Sequence, residues 1–208
     1  MPCKLRSLIT LAAVVGLTAC GSGGSSKPPA SATYGSACPS ESTVAGSSDG
    51  PETNPPGDIP DNQAFVAYSP PDNLYSVKVP EGWARTESAG AVAFTDKLNR
   101  IELRVVDAPV APTVDSVKAD DVAALAAANA CFELGDVTSV KRTAGTAVRV
   151  TYRADASADP VTGKVVHDDV ERYAFWKDGK EVVLTLSGPA GSDNVDPWRT
   201  VTDSFGWR

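Results

Sequence analysis

Residues 171–188, ERYAFWKDGKEVVLTLSG, decide the fold of this chain. Two apolar runs flank Lys177-Asp178-Gly179-Lys180, and a central Asp-Gly pair favours a type I′ turn, whose twist matches that of paired strands. The segment therefore predicts a β-hairpin. Both strands are apolar on both faces, whereas a strand with one face in water alternates apolar and polar residues. The hairpin thus predicts a sheet that is covered on both sides.

Alternating side chains predict further strands on the N-terminal side of this hairpin. Residues 75–79, YSVKV, alternate and stop at Pro80-Glu81-Gly82. Residues 91–108 predict a second hairpin around 96–99, with Ile101, Leu103 and Val105 on one face. Residues 136–143 and 146–154 predict two more strands. In the second of these, the side chains of Val148, Val150 and Tyr152 face inward. The side chains that alternate with them face outward: Arg149, Thr151 and Arg153.

Two segments have the spacing of helices. Residues 113–130 place Val122, Leu125, Ala126 and Asn129 on one stripe and predict one helix or two short ones, capped by Asp115 or Asp120. Near the C-terminus, Asp196 and Pro197 suit the N-cap and first position of a helix that continues toward Trp207. Trp198, Val201 and Phe205 then share one face of that helix.

The predicted order is several strands, a helix, four strands and a terminal helix. With residues 74–83, LYSVKVPEGW, this order resembles the PsbP-like family, which includes an extrinsic photosystem II protein, a Ran-binding import factor and lipoproteins of high-GC Gram-positive bacteria. The resemblance covers residues 63–208. It implies an α+β fold with an antiparallel sheet flanked by helices on both faces, an α/β/α sandwich. It brings no catalytic motif and implies a binding or assembly module.

The N-terminus predicts export. Lys4 and Arg6 precede an apolar run, residues 8–17, that is shorter than the roughly 20 residues needed to span a bilayer. Residues 17–20, LTAC, resemble the lipobox of bacterial lipoproteins, which implies that residues 1–19 are a signal peptide and that Cys20 carries diacylglycerol. Acyl chains such as palmitate would hold the protein on the extracytoplasmic face of the cell membrane. The alternative is an ordinary secretory signal, with Cys20 an incidental thiol.

Residues 20–62 predict a flexible tether rich in Gly, Ser and Pro, followed by a single globular domain at 63–208. Loss of residues 1–19 removes Lys4 and Arg6, which leaves 17 basic against 26 acidic residues and a formal charge of −9. The chain has no basic stripe that could neutralise phosphates, so nucleic acid is not an expected partner. An anionic bilayer would also repel this charge, so attachment depends on the lipid.

Two cysteines remain once Cys3 has left and Cys20 is acylated. Cys38 and Cys131 form an even pair outside the reducing cytosol, and we predict a disulfide between them. The alternative is two free thiols, because sequence separation does not say whether their Cα atoms come within bridging distance.

The loop SGPAGSDNVDPWR, residues 187–199, is a candidate partner or ligand site. Asp193, Asn194 and Asp196 could offer oxygens to calcium, although the EF-hand spacing is absent, and Trp198 could anchor a partner. The same residues suit helix capping and core packing, so no metal site is predicted.

His167 is the single histidine of the chain and the one candidate for Ser-His-Asp catalysis, with Asp168 or Asp169 and a distant serine. No Gly-x-Ser-x-Gly elbow accompanies it. In the alternative interpretation, His167, Asp169 and Glu171 share one strand face and pair with Arg149 and Arg153 on the neighbouring strand.

No phosphate-binding glycine motif lies between a strand and a helix, so no cofactor is predicted. We expect a non-enzymatic binding or assembly module for an envelope partner. A lipoprotein that binds a small lipid or a cation is the alternative, and a hydrolase centred on His167 is a third.

Overall fold

The computed structural model describes Cys38 and residues 57–158 and 161–208. The predicted signal peptide, the lipidation of Cys20 and most of the predicted tether lie outside the described residues. Among the residues that are described, no helix has the length and apolar character needed to cross a membrane.

Seven antiparallel strands form the main sheet, in the order β3-β4-β5-β9-β8-β7-β6. Their bounds are β3 Ala84–Ser88, β4 Ala91–Asp96, β5 Asn99–Asp107, β6 Glu133–Arg142, β7 Gly145–Asp155, β8 His167–Lys177 and β9 Lys180–Pro189. Asp178 and Gly179 have φ values of 49° and 80° between β8 and β9, as a type I′ turn requires. The two predicted hairpins and the strands at 136–143 and 146–154 are confirmed.

A three-stranded sheet, in the order β1-β2-β10, lies beside the main one. It consists of β1 Phe65–Tyr68, β2 Tyr75–Pro80 and β10 Gly206–Trp207. Strand β2 confirms the prediction from residues 75–79. Strands β1 and β3 were not predicted; every residue of β3 is exposed, so β3 lacks the alternation of apolar and polar residues that marks a half-buried strand.

The first helical segment is continuous from α1, Val114–Ser116, through a π-helical turn, Val117–Asp121, to α2, Val122–Ala128. The predicted caps Asp115 and Asp120 are wrong. Thr113 is the N-cap, and its hydroxyl accepts a hydrogen bond of 3.0 Å from the Ser116 amide while the Ser116 hydroxyl accepts one of 2.9 Å from the Thr113 amide. This reciprocal capping box satisfies two amides that a helix start leaves unpaired.

The terminal helix, α3, spans Val195–Ser204 and starts earlier than predicted. Asn194 is its N-cap position, and Asp196 lies inside the first turn, where a carboxylate favours the positive end of the helix dipole. Asp196 as N-cap is therefore wrong. The predicted continuation to Trp207 is also wrong, because Gly206 and Trp207 pair with β2 as β10.

Apolar side chains cover both faces of the main sheet. On one face, Trp198 and Val201 of α3, with Phe205, join buried residues of β2, β4, β5, β8 and β9; we call this the first core. On the other face, Val117, Val122 and Leu125 of the helical segment pack on Val150 and neighbouring residues of β6, β7 and β8, the second core. The predicted α+β class, an antiparallel sheet with helices on both faces, is confirmed.

The packed part of the chain includes residues before Gln63. Ile59, which lies in the segment predicted as tether, is 4% exposed and belongs to the first core. Cys38 and Cys131, the pair predicted from the sequence, are joined by a disulfide in the structure, with their Cα atoms 5.3 Å apart. Two residues of the segment predicted as tether, Cys38 and Ile59, are thus attached to the domain.

Candidate functional site

A cleft of about 680 Å³ lies on the same sheet face as the first core. Strands β7 and β8 form its floor, α3 and the loop before it form one wall, and the edge strand β6 forms the other. The cleft begins where the apolar side chains of the first core end. Its volume is about twice that of two other concave surfaces, of about 290 and 330 Å³.

Strand alternation explains why the floor is polar. Ala147 of β7 points into the first core, so Arg149, Thr151 and Arg153 lie on the same face at steps of two. The sequence assigned these three side chains to the outward face. The structure places them on the face that α3 packs against, where they line the cleft with Asp169 and Glu171 of β8.

Cross-strand ion pairs order this floor. Arg153 Nε lies 2.7 Å from Asp169 Oδ1, and Arg149 Nη1 lies 3.7 Å from Glu171 Oε1. The second oxygen of Asp169 accepts a hydrogen bond of 3.0 Å from the Gly191 amide, which ties the floor to the loop before α3. The predicted pairing of Asp169 and Glu171 with Arg153 and Arg149 is confirmed.

Tyr173 connects the floor to the first core. Its hydroxyl donates a hydrogen bond of 2.6 Å to Glu171 and accepts one of 3.0 Å from Arg142. Burial, followed by the bond to Glu171, raises the pKa of Tyr173, so the hydroxyl keeps its proton and remains a donor to Glu171. Arg142 also donates to the Thr202 hydroxyl at 3.2 Å and lies 3.4 Å from Asp203, so α3 is bound to β6 across one end of the cleft.

Arg149, on the floor of the cleft, makes only a weak contact with the rest of the described protein. Its one partner among the described residues is Glu171 Oε1 at 3.7 Å, and its Nε is buried without a hydrogen-bond acceptor. Thr138, directly opposite on β6, has a buried hydroxyl that is also unpartnered. Buried polar atoms in proteins are almost always satisfied, so two such exceptions on directly opposite residues of β6 and β7 are unusual.

A β-bulge shapes the wall formed by β6. The strand register shifts between Leu134 and Val137, and the Asp136 amide donates a hydrogen bond of 2.8 Å to the Thr151 hydroxyl. A Cβ atom on Gly135 would lie 2.5 Å from that hydroxyl oxygen, so this close approach requires glycine. Leu134, just before the bulge, lies opposite Tyr152 of the second core and is 46% exposed.

The candidate loop residues take different places. Asp193 and Asp196 are exposed, and among the described residues no group of His, Cys, Asp or Glu has the geometry to hold a metal ion. Trp198 is 8% exposed and belongs to the first core, while one part of it lines the cleft. The structure therefore uses Trp198 mainly for packing.

The Asn194 side chain connects separate segments of the chain through hydrogen bonds. Its side-chain oxygen accepts a hydrogen bond of 2.8 Å from the Ile59 amide, and its amide donates to Gly57 O at 3.0 Å and to Asn99 Oδ1 at 3.1 Å. With 3% of its surface exposed, it joins the segment before β1 to β5 and α3.

His167 lies at the start of β8 and is not among the residues that line the cleft. Its Nδ1 is 3.0 Å from Asp155 Oδ1 on the adjacent strand, directly opposite in register. Asp168 points to the other face, opposite Ala154 of the second core, so it does not share a site with His167. Burial raises the pKa of Asp168 to about 6, despite a hydrogen bond to its side chain from Ser187.

The cleft residues were only partly foreseeable. Alternation identified the charged rows of β7 and β8, but nothing local marks Arg142 or Asp203 as neighbours of those rows. They meet because α3 crosses from the first core toward β6, and that placement depends on long-range packing.

No family model and no curated protein matches the sequence. Solved structures do match. PsbP (CyanoP) from Synechocystis sp. PCC 6803 is 18% identical over 79% of this chain and 99% of its own, with a TM-score of 0.49. The Ran-binding protein Mog1p of Saccharomyces cerevisiae is 8% identical over 70% and 96%, with a TM-score of 0.48. LpqN of Mycobacterium tuberculosis, described as involved in cell envelope biogenesis, is 12% identical over 70% and 91%, with a TM-score of 0.41. A PsbP is thus among the matches, and membership of that family stays a prediction.

Proposed function

We propose that this chain is a membrane-anchored, extracytoplasmic lipoprotein that acts as a non-enzymatic binding or assembly module for an envelope partner, and that it binds through the cleft. The observation that carries the proposal is the cleft itself: a concave surface of about 680 Å³ whose floor is built on regular strands. Side chains on strands are held in place more firmly than side chains on loops, which suits recognition.

The lining has the mixture of groups found at protein interfaces. Five lining residues are basic and four are acidic: Lys141, Arg142, Arg149, Arg153, Arg199 and Glu133, Asp169, Glu171, Asp203. Val195, beside the cleft on α3, is 70% exposed. Exposed apolar side chains framed by arginines are typical of contact surfaces, where arginine is enriched.

The anchoring part of the proposal depends on the sequence at Cys20. The LTAC motif after a short apolar run supports acylation, and a chain with net charge −7 has no electrostatic reason to adhere to an anionic membrane. Radiolabelled palmitate should enter the wild-type chain and not Cys20→Ala, and Cys3→Ala should remain labelled as the control. Labelling that persists in Cys20→Ala would contradict the anchor.

Site-specific photocrosslinking in cells tests the binding surface. A photoreactive residue at Glu133 or Val195 should capture the same partner, because both positions are exposed and line the cleft. The same residue at Leu98, which is 41% exposed in the turn between β4 and β5, is the control and should not capture it. Equal capture from all three positions, or none from the two cleft positions, would contradict the proposal.

A small polar ligand is the second candidate, because the cleft volume lies within the roughly 300–1,000 Å³ of known ligand sites. The apolar cavity between sheet and helix that a lipid would need is not what the described residues form. Phe175, Leu184 and Phe205 fill that space, each with at most 1% of its surface exposed. A thermal shift with polar metabolites and none with lipid extract would favour this candidate.

A further inference from the structure

We propose that the Cys38–Cys131 disulfide sets how far the domain, and the cleft with it, can move from the membrane. The inference rests on the proposed function, because it takes the lipid at Cys20 as the fixed point on the membrane. It starts from two places at which the chain before β1 is attached to the domain. One is the disulfide, and the other is the segment 57–59.

The disulfide is the attachment point closer to the anchor along the chain. It joins Cys38 to Cys131, which lies in the turn between α2 and β6, and their Cα atoms are 5.3 Å apart. Cys131 comes two residues before Glu133, which lines the cleft. While the disulfide is intact, the connection between the lipid and the domain therefore ends at Cys38, close to the β6 wall of the cleft.

The segment 57–59 is attached to the domain without the help of the disulfide. The Gly57 carbonyl accepts a hydrogen bond of 3.0 Å from the Asn194 side chain, and the Ile59 amide donates one of 2.8 Å to it. Ile59 is 4% exposed in the first core. Gly57 packs directly on Pro189, which lines the cleft, because a Cβ atom on Gly57 would lie 2.5 Å from that ring. Without the disulfide, the connection to the lipid would therefore end at Gly57.

The two attachment points differ in their separation from the anchor along the chain. Cys38 is 18 positions beyond Cys20, and Gly57 is 37 positions beyond it. A fully extended chain spans at most roughly 3.3–3.6 Å per residue, so the first length reaches about 60 Å and the second about 130 Å. Both attachment points lie next to residues that line the cleft, so these limits apply to the cleft as well. Loss of the disulfide thus about doubles the largest distance from the membrane at which the cleft can meet a partner.

Cleavage inside the loop that the disulfide closes tests the attachment point. A site for a sequence-specific protease replaces residues 46–52 of the full chain, and the lipidated protein is reconstituted into phosphatidylcholine vesicles. After cleavage without a reductant, we expect the domain to stay with the vesicles, because the disulfide still joins it to Cys38. Cleavage should release the domain when Cys131→Ser is added, or when dithiothreitol is present. Release from the unreduced protein with both cysteines would overturn the inference.

Energy transfer to the bilayer measures the reach. A donor dye is attached through a non-natural amino acid at Leu98, which is 41% exposed in the turn between β4 and β5, and acceptors are placed on the lipid headgroups. Transfer should be lower in Cys131→Ser than in wild type, because the domain can then move farther from the bilayer. Equal transfer in the two proteins would overturn the inference.

A shortened chain separates reach from stability. Deletion of residues 38–56 from Cys131→Ser leaves Gly57 18 positions beyond Cys20, which is the spacing that Cys38 has in the wild type. This variant also lacks the disulfide, so it shares the stability change of Cys131→Ser, but its energy transfer should return to the wild-type value. Transfer that stays as low as in Cys131→Ser would show that chain length is not the cause, and would overturn the inference.

The same vesicles distinguish this inference from the proposed function. A wild-type chain that carries no lipid and does not bind the vesicles would contradict the anchor in the proposed function, and this inference with it. If the chain is anchored but cleavage releases the unreduced domain, or Cys131→Ser leaves the transfer unchanged, only this inference is wrong.

Discussion

Replacing Asp168 with Asn should stabilise the protein by an amount that grows with pH. Asp168 is 6% exposed on β8, and its Oδ1 is buried without a hydrogen-bond partner. Burial raises the pKa of its carboxyl from 3.8 to about 6. Because the pKa is higher in the folded state, the fold favours the protonated carboxyl. Its contribution to stability is therefore complete below the unfolded pKa and is lost as the pH rises through about 6.

The size of the effect follows from the two pKa values. A rise from 3.8 to about 6 corresponds to roughly 3 kcal/mol of folding free energy lost once the carboxyl is ionised. Asn has nearly the same shape and does not ionise. The free energy of unfolding of Asp168→Asn, minus that of wild type, should thus increase by roughly 2 kcal/mol between pH 4 and pH 8.

Urea denaturation at one-unit steps from pH 4 to pH 8 measures this difference. Taking the difference between variant and wild type cancels the titration of every other group that the substitution leaves unchanged. Asp61→Asn, at an exposed position in the turn before β1, is the matched control, and the trend of Asp168→Asn should exceed the trend of this variant. A difference for Asp168→Asn that stays constant, or that shrinks as the pH rises, would refute the argument.

Three further outcomes follow from the structure. Cys131→Ser should lower the free energy of unfolding by about 2–4 kcal/mol, because it removes a disulfide that joins residues 93 positions apart. Non-reducing peptide mapping should recover a disulfide-linked peptide that contains Cys38 from the wild type and not from the variant. Asn194→Ala should cost roughly 2–4 kcal/mol in urea denaturation, since three buried hydrogen bonds lose their partner. His167→Ala should change stability by no more than about 1 kcal/mol, as expected for a partly exposed pair with Asp155, and a larger loss would show that this pair is structurally important.

Sequence patterns predicted the structural features that depend on residues close together in the chain. The turn at Asp178-Gly179 and the alternation of β7 depend on neighbouring residues, so the hairpins and the ion pairs of the floor could be predicted. The start of α3 could not. Asp196-Pro197 is a good helix start by itself, but the bonds of Asn194 to Gly57 and Ile59, more than 130 residues away, move the start toward the N-terminus.

The cleft illustrates a second limit of local reasoning. Periodicity says which side chains share a sheet face, yet it does not say how much of that face a helix covers. Arg149 and Arg153 have the same spacing whether they meet solvent, a helix or a partner. The position of α3 decides between these outcomes, and it is determined by Trp198 and Val201 packing in the first core, together with the contacts of Arg142 with Thr202 and Asp203.

Tyr173 shows how the core and the cleft depend on each other. Its ring is 1% exposed, and it stacks at 6.2 Å on Phe175, which in turn stacks at 4.2 Å on Phe205. Its hydroxyl lies at the border of the cleft, between Arg142 and Glu171. Because packing fixes the ring, the hydroxyl holds Glu171 at a fixed place, and that place sets the 3.7 Å separation from Arg149. The position of Glu171 on the cleft floor therefore depends on aromatic packing in the first core, and a close-packed core holds that position firmly.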